Sequence, residues 1–169
     1  MTDARVEATA RLHFGFQNLS LAHQRLYGGV GVALDCPSFV VTAERAEEVS
    51  VRDDADGPDA TAVAREHAAR AVDLLDVPGV VVTVREQFPR HVGLGSGTQF
   101  ALAVYAAVAA AHDRPVDVRA AAPKLGRGGR SGVGVAGFER GGFVVDGGHP
   151  TSQFTTDRPA DGEWTVPPV

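Results

Sequence analysis

The sequence predicts a single domain in which strands and helices are mixed, and three observations predict it. Short runs such as Phe39-Val40-Val41-Thr42-Ala43 and Val80-Val81-Val82-Thr83-Val84 are rich in β-branched residues, the composition of buried strands. Two longer stretches are helical. Ala64, Ala68, Val72 and Leu75 fall on one face of a helix over 60–75, and the run 100–111 is apolar nearly all round. Between strand and apolar helix lies a glycine-rich segment, 89–99. At 169 residues with 44% hydrophobic and 22% charged residues, the chain can bury a real core. The domain is placed at 1–150, with 151–169 a linker or frayed tail.

The elements follow in order. Residues 6–12 alternate enough for a strand that reaches Phe16, and 17–27 read as a loop. Gly28-Gly29 opens a second strand, 30–34, stopped by Pro37, and 39–43 and 48–51 are two further strands. The acidic run 53–59 is a solvated turn. A calcium loop with Gly57 at its sixth position would begin at Arg52 and end at Val63, neither a useful ligand. Asp59 is expected as the N-cap of helix 60–75. A strand at 79–85, a helix at 97–112 and a short helix at 117–125 come next. A glycine-rich stretch over 126–134 and a hairpin over 138–146 complete the domain.

Composition excludes several classes. A net charge of −5 gives no basic face for nucleic acid. The apolar run is about a dozen residues, short of the roughly 20 that span a bilayer. Met1-Thr2-Asp3-Ala4-Arg5 has no apolar stretch of a signal peptide, so the cytoplasm is expected. The single cysteine, Cys36, excludes an intrachain disulfide and is expected as a partly buried thiol. His23, His67, His112 and His149 lack metal-ligand spacing.

The segment Pro89-Arg90-His91-Val92-Gly93-Leu94-Gly95-Ser96-Gly97-Thr98-Gln99 carries the chemistry. Glycines let backbone amides approach a ligand, and the first turn of a helix leaves N–H groups unpaired. The helix dipole adds roughly half a positive charge there, and phosphate is the usual guest. This is no lysine P-loop, because Lys124 is the only lysine among sixteen basic residues. It is no Rossmann fingerprint either, because position 98 is Thr. Ser96 lacks the Gly-x-Ser-x-Gly elbow of a nucleophile.

The segment resembles the second motif of the GHMP kinase superfamily, Pro-x-x-x-Gly-Leu-Gly-Ser-Ser/Gly-Ala/Thr. Arg11-Leu12-His13-Phe14-Gly15, with 28–34, is similar to the first motif. Gly126-Arg127-Gly128-Gly129-Arg130-Ser131-Gly132-Val133-Gly134, followed by Gly141-Gly142-Phe143-Val144-Val145-Asp146-Gly147-Gly148, completes a set. Together they resemble the beta-ribofuranosylaminobenzene 5′-phosphate synthase family. The resemblance implies an α+β fold of the ribosomal protein S5 domain 2-like type, the GHMP N-terminal domain. It implies a reaction of 4-aminobenzoate with 5-phosphoribosyl 1-pyrophosphate, releasing pyrophosphate and carbon dioxide in archaeal methanopterin biosynthesis. An ATP-dependent GHMP small-molecule kinase and a non-catalytic phosphate-binding remnant are the alternatives.

Under that resemblance Pro89, His91, Gly93, Leu94, Gly95, Ser96, Gly97 and Thr98 hold the phosphates, and the Ser96 hydroxyl is available to magnesium, the implied cofactor. Arg127 and Arg130 suit phosphate or the aromatic carboxylate. Arg11 and His13 approach the same cleft, and Asp146 assists a metal or the sugar cation. A strand-end hydrogen bond explains His13 equally well, and a turn explains Asp146. His91 also fits a surface position beside the loop. Many GHMP kinases carry Ser-Gly-x-Asp in the third block, whereas position 134 here is glycine, which cannot take a proton. The family also has a second, C-terminal domain, which implies a homodimer or a partner chain supplying it.

Overall fold

The computed structural model describes residues 4–153 and Val169, so the tail expected over 151–169 lies largely outside the described residues. Two long strands, β1 (Ala4–Asn18) and β2 (Arg25–Ala46), lead into β3 (Ser50–Asp53), α1 (Thr61–Leu75), β4 (Gly79–Glu86) and α2 (Ser96–Ala111). Then come α3 (Val118–Lys124), α4 (Val133–Arg140), β5 (Phe143–Asp146), β6 (His149–Pro150) and a short 3-10 turn, Thr151–Gln153. The sheet order is β1-β2-β4-β3, with β5 and β6 added along β2. β2 runs antiparallel to β1, β4 and β5, while β3 and β4 are parallel and joined through α1.

Strands expected separately at 30–34 and 39–43 are one strand. Arg11 faces Ala33 and Thr9 faces Ser38, so 34–37 bulge out opposite Ala10. Pro37 sits in that bulge, where its missing N–H forfeits no ladder bond. Cys36 beside it is exposed rather than partly buried. The expected loop 17–27 shrinks to a turn, because β1 extends to Asn18 and β2 starts at Arg25.

α2 is the centre of the core. Thirteen of its residues are buried, and its many alanines let the sheet and α1 approach closely. Phe39 lies between Phe88 and Phe100, with ring centroids 4.4 and 4.7 Å away. On α1 the expected stripe Ala64, Ala68 and Val72 is buried, joined by His67 and Ala71, while Leu75 is half-buried. The cap differs from expectation. Ala60 occupies the N-cap position, and Asp59 bonds instead to the Thr61 amide (2.8 Å) while Asp53 takes the Ala60 amide (2.7 Å).

The expected hairpin over 138–146 is instead a helix followed by a strand. Val133, Val135 and Ala136 form a buried helical stripe that Gly134 and Gly137 dilute in the sequence. Gly141 and Gly142, both at positive φ, then turn the chain into β5. α4 reaches the sheet only because Gly31 lacks a side chain. A Cβ there would lie 2.3 Å from a Val133 methyl carbon.

Candidate functional site

The glycine loop closes on the N-terminus of α2 as the sequence predicts. Gly95 is the N-cap residue in the left-handed conformation (φ 76°), and Thr98 and Gln99 both return their amides to its carbonyl, at 3.0 and 3.1 Å. The amides of Ser96 and Gly97 stand ahead of that closure. Ser96 is buried, and its hydroxyl accepts from the His91 amide at 3.4 Å, tying the loop to itself.

Arg11 laces β1 to this loop. Its amide donates to the Leu94 carbonyl at 3.0 Å and its guanidinium to the Gly93 carbonyl at 2.9 Å. A Cβ on Gly95 would lie 2.9 Å from the Arg11 guanidinium carbon, so the glycine makes room for the cation. Burial lowers the Arg11 pKa from its ordinary value, and its buried Nε has no hydrogen-bond partner among the described residues.

A cleft of about 420 Å³ opens beside the loop. Arg11, His13 and Phe16 of β1 line it, with Thr98 of α2, the 126–131 loop and Gly134 of α4. Of the residues singled out by sequence, Arg11, His13, Thr98, Arg127 and Arg130 thus share one wall. Pro89, His91, Gly93, Leu94, Gly95, Ser96 and Gly97 are not in that wall. The glycine loop adjoins the cleft through Arg11 and through Arg127, whose Nη1 comes within 3.5 Å of the space a Cβ on Gly97 would take. Three arginines and no carboxylate line the cleft among the described residues, so it favours anions.

His13 is fixed at both ring nitrogens. Nδ1 accepts the Gly15 amide at 3.0 Å, which places the proton on Nε2, 3.0 Å from the Ser131 hydroxyl oxygen. That oxygen also accepts from the Val133 amide at 3.1 Å. The hydroxyl proton of Ser131 is therefore left for a further acceptor in the cleft. Burial, and then the Arg11 charge, lower the His13 pKa against a smaller opposing pull from Asp146.

Asp146 lies under the wall rather than in it. It is fully buried, and its two oxygens accept the Gly132 and Gly148 amides, each at 2.8 Å. Arg25 donates to the Gly147 carbonyl at 2.6 Å and to the Gly148 carbonyl. Buried His149 bonds to the Gly128 backbone from below, and burial lowers its pKa. These groups set the path of the arginine-bearing loop.

Sequence reasoning passed over Ser131, Phe16 and Gln99. Gln99 is buried, donates to the Gly134 carbonyl at 2.8 Å, and leaves its buried side-chain oxygen without a hydrogen-bond partner. A lone amide in an apolar helix was the available signal. Gly134 itself abuts Thr98, whose methyl carbon lies 3.1 Å from where a Cβ would sit.

Residues 60–142 match the family described as GHMP kinases N terminal domain. The chain is 37% identical over 169 residues to the beta-ribofuranosylphenol 5′-phosphate synthase of Methanothermobacter thermautotrophicus, covering 96% of this chain and 51% of that one. The synthase of the same name from Methanocaldococcus jannaschii is 33% identical over 153 residues, covering 85% of this chain and 47% of that one. The chain thus spans about half the length of the curated relatives it matches. Among solved structures, Streptococcus pneumoniae phosphomevalonate kinase superposes with a TM-score of 0.67 at 14% identity, covering 90% of this chain and 50% of that one. Cytophaga hutchinsonii homoserine kinase gives 0.55 at 17% identity, covering 87% and 49%. These likenesses bear out the expected α+β fold of the GHMP N-terminal domain.

Proposed function

Because the chain belongs to the GHMP kinase superfamily, in the family of the beta-ribofuranosylphenol 5′-phosphate synthases, we propose that its cleft holds the reactants of a phosphoribosyl transfer to an aromatic acid. The donor is 5-phosphoribosyl 1-pyrophosphate. The acceptor is a benzoate with an electron-releasing group at the 4-position, either the 4-aminobenzoate expected from the sequence or its 4-hydroxy counterpart. The similar proteins are beta-ribofuranosylphenol 5′-phosphate synthases, and a phenol product favours the second.

The chemistry balances without an oxidant. The bond from C1 of the ribose to pyrophosphate breaks, and the electron pair leaves with pyrophosphate. The ring carbon bearing the carboxylate attacks C1, helped by electron release from the 4-substituent. Loss of carbon dioxide then returns its bonding electrons to the ring. Both reactants are anions, and the cleft meets them with Arg11, Arg127 and Arg130. The Ser131 hydroxyl, whose oxygen already accepts from His13 and the Val133 amide, has its proton free to donate to an oxygen of the leaving pyrophosphate.

The observation that carries this reading is a cleft with three arginines and no carboxylate in its wall among the described residues. A kinase acting on an alcohol needs a base for the hydroxyl proton, and position 134 is glycine. Magnesium, implied by the family resemblance, finds a poor fit. The Ser96 hydroxyl is buried against the His91 amide, and no carboxylate lines the cleft among the described residues.

The test incubates the chain with the sugar pyrophosphate and each benzoate, following pyrophosphate and carbon dioxide. Release of both in equal amounts, dependent on both substrates, is expected. ADP formed from ATP and a small alcohol, with no pyrophosphate release, would contradict it.

A further inference from the structure

One side chain in the cleft wall has no part in binding anions. His13 pairs with Gly31 and Phe16 pairs with Gly29, so β1 uses three residues where β2 uses two. The extra residue is a β-bulge at 14–15, with Gly15 at φ 108°. Regular alternation would put residues 13 and 16 on opposite faces, and the bulge puts both on the cleft face. A glycine opposes each, leaving the face open. A Cβ on Gly29 would lie 3.0 Å from the His13 ring.

The result is a propped aromatic ledge. Phe16 meets the His13 ring edge-on at 5.2 Å and is backed by Tyr27 at 5.3 Å. It remains 41% exposed, and among the described residues it is the one phenyl ring in a wall otherwise made of arginines, glycines, hydroxyls and an imidazole. A phosphate gains nothing from such a ring. A flat aromatic carboxylate matches both features, its ring against Phe16 and its charge toward the arginines.

We infer that Phe16 is the stacking face for the aromatic acceptor, with His13 and Tyr27 positioning it. The inference rests on the proposed transfer to an aromatic acid. Phe14, 62% exposed and outside the cleft wall, is the internal control.

The experiment titrates the full chain calorimetrically with 4-hydroxybenzoate and, separately, with 5-phosphoribosyl 1-pyrophosphate. Phe16→Ala is expected to weaken benzoate binding about tenfold while sugar pyrophosphate binding stays within twofold. Phe16→Trp should keep benzoate affinity, and Phe14→Ala should change neither. Unchanged thermal unfolding of each variant excludes loss of fold. Benzoate binding to Phe16→Ala as tight as to the wild type, or no benzoate binding by the wild type, overturns the inference. Failure to bind the sugar pyrophosphate, with the Phe16 effect intact, would instead sink the proposed transfer and leave the ring site standing.

Discussion

His13 and Ser131, 118 residues apart in the sequence, meet at 3.0 Å in the wall of the cleft. The contact joins the first glycine-bearing block to the third. It also makes a definite statement about a proton. Because Nδ1 accepts from Gly15, the neutral ring carries its hydrogen on Nε2. Nitrogen-detected NMR at neutral pH is expected to show the Nε2–H tautomer for His13, titrating below the ordinary histidine value. An Nδ1–H tautomer would undo the assignment of Ser131 as a donor to the ligand.

His67 sets an acid limit on stability. It is buried against Phe100, and burial, reinforced by the charges of Arg127, Arg70 and Arg90, lowers its pKa to about 4. The unfolded chain therefore binds a proton at a higher pH than the folded one. Stability from this group is whole above about pH 6.5 and is lost as pH falls toward 4, by roughly 3 kcal/mol in all. Urea unfolding of His67→Phe between pH 7 and 4 should show a shallower decline than the wild type. Parallel curves would place the titrating group elsewhere.

Asp146 is expected to act through backbone rather than on the ligand. Asp146→Asn puts an amide N–H against one of the two backbone donors at 2.8 Å, Gly132 or Gly148. A loss of about 1.5–3 kcal/mol in folding stability follows, with ligand affinity falling as the loop loosens. A variant as stable as the wild type but unable to bind would instead place the carboxylate on the ligand.

Much of this was legible in the chain, for identifiable reasons. The Gly93–Thr98 segment announced itself because left-handed turns need glycine, and Gly95 does cap α2 at φ 76°. The stripe Ala64, Ala68 and Val72 was readable because nothing interrupts it. α4 was hidden, since glycines at 134 and 137 erase the apolar period that tertiary packing restores. Pro37 misled because a strand can bulge around a proline. In the site, the arginines were visible as charges among glycines. Phe16 was not, because its direction depends on a bulge that only the pairing with Gly29 and Gly31 reveals.

Arg130 is exposed, on the loop that lines the cleft. Arg130→Ala should weaken binding of the sugar pyrophosphate by about 1.5–3 kcal/mol and leave thermal unfolding unchanged. Arg130→Lys should recover only part of that loss, because an ammonium lacks the planar fork. Equal affinity in wild type and both variants would make the loop structural.

The central claim is that three separated glycine-bearing blocks build a cleft for a sugar pyrophosphate rather than for a nucleotide. Calorimetric titration of the chain with 5-phosphoribosyl 1-pyrophosphate and with ATP, in parallel and with magnesium, addresses it most directly. Binding of the sugar pyrophosphate at clearly higher affinity than ATP is predicted. Tighter binding of ATP, or heat from neither ligand, would contradict it.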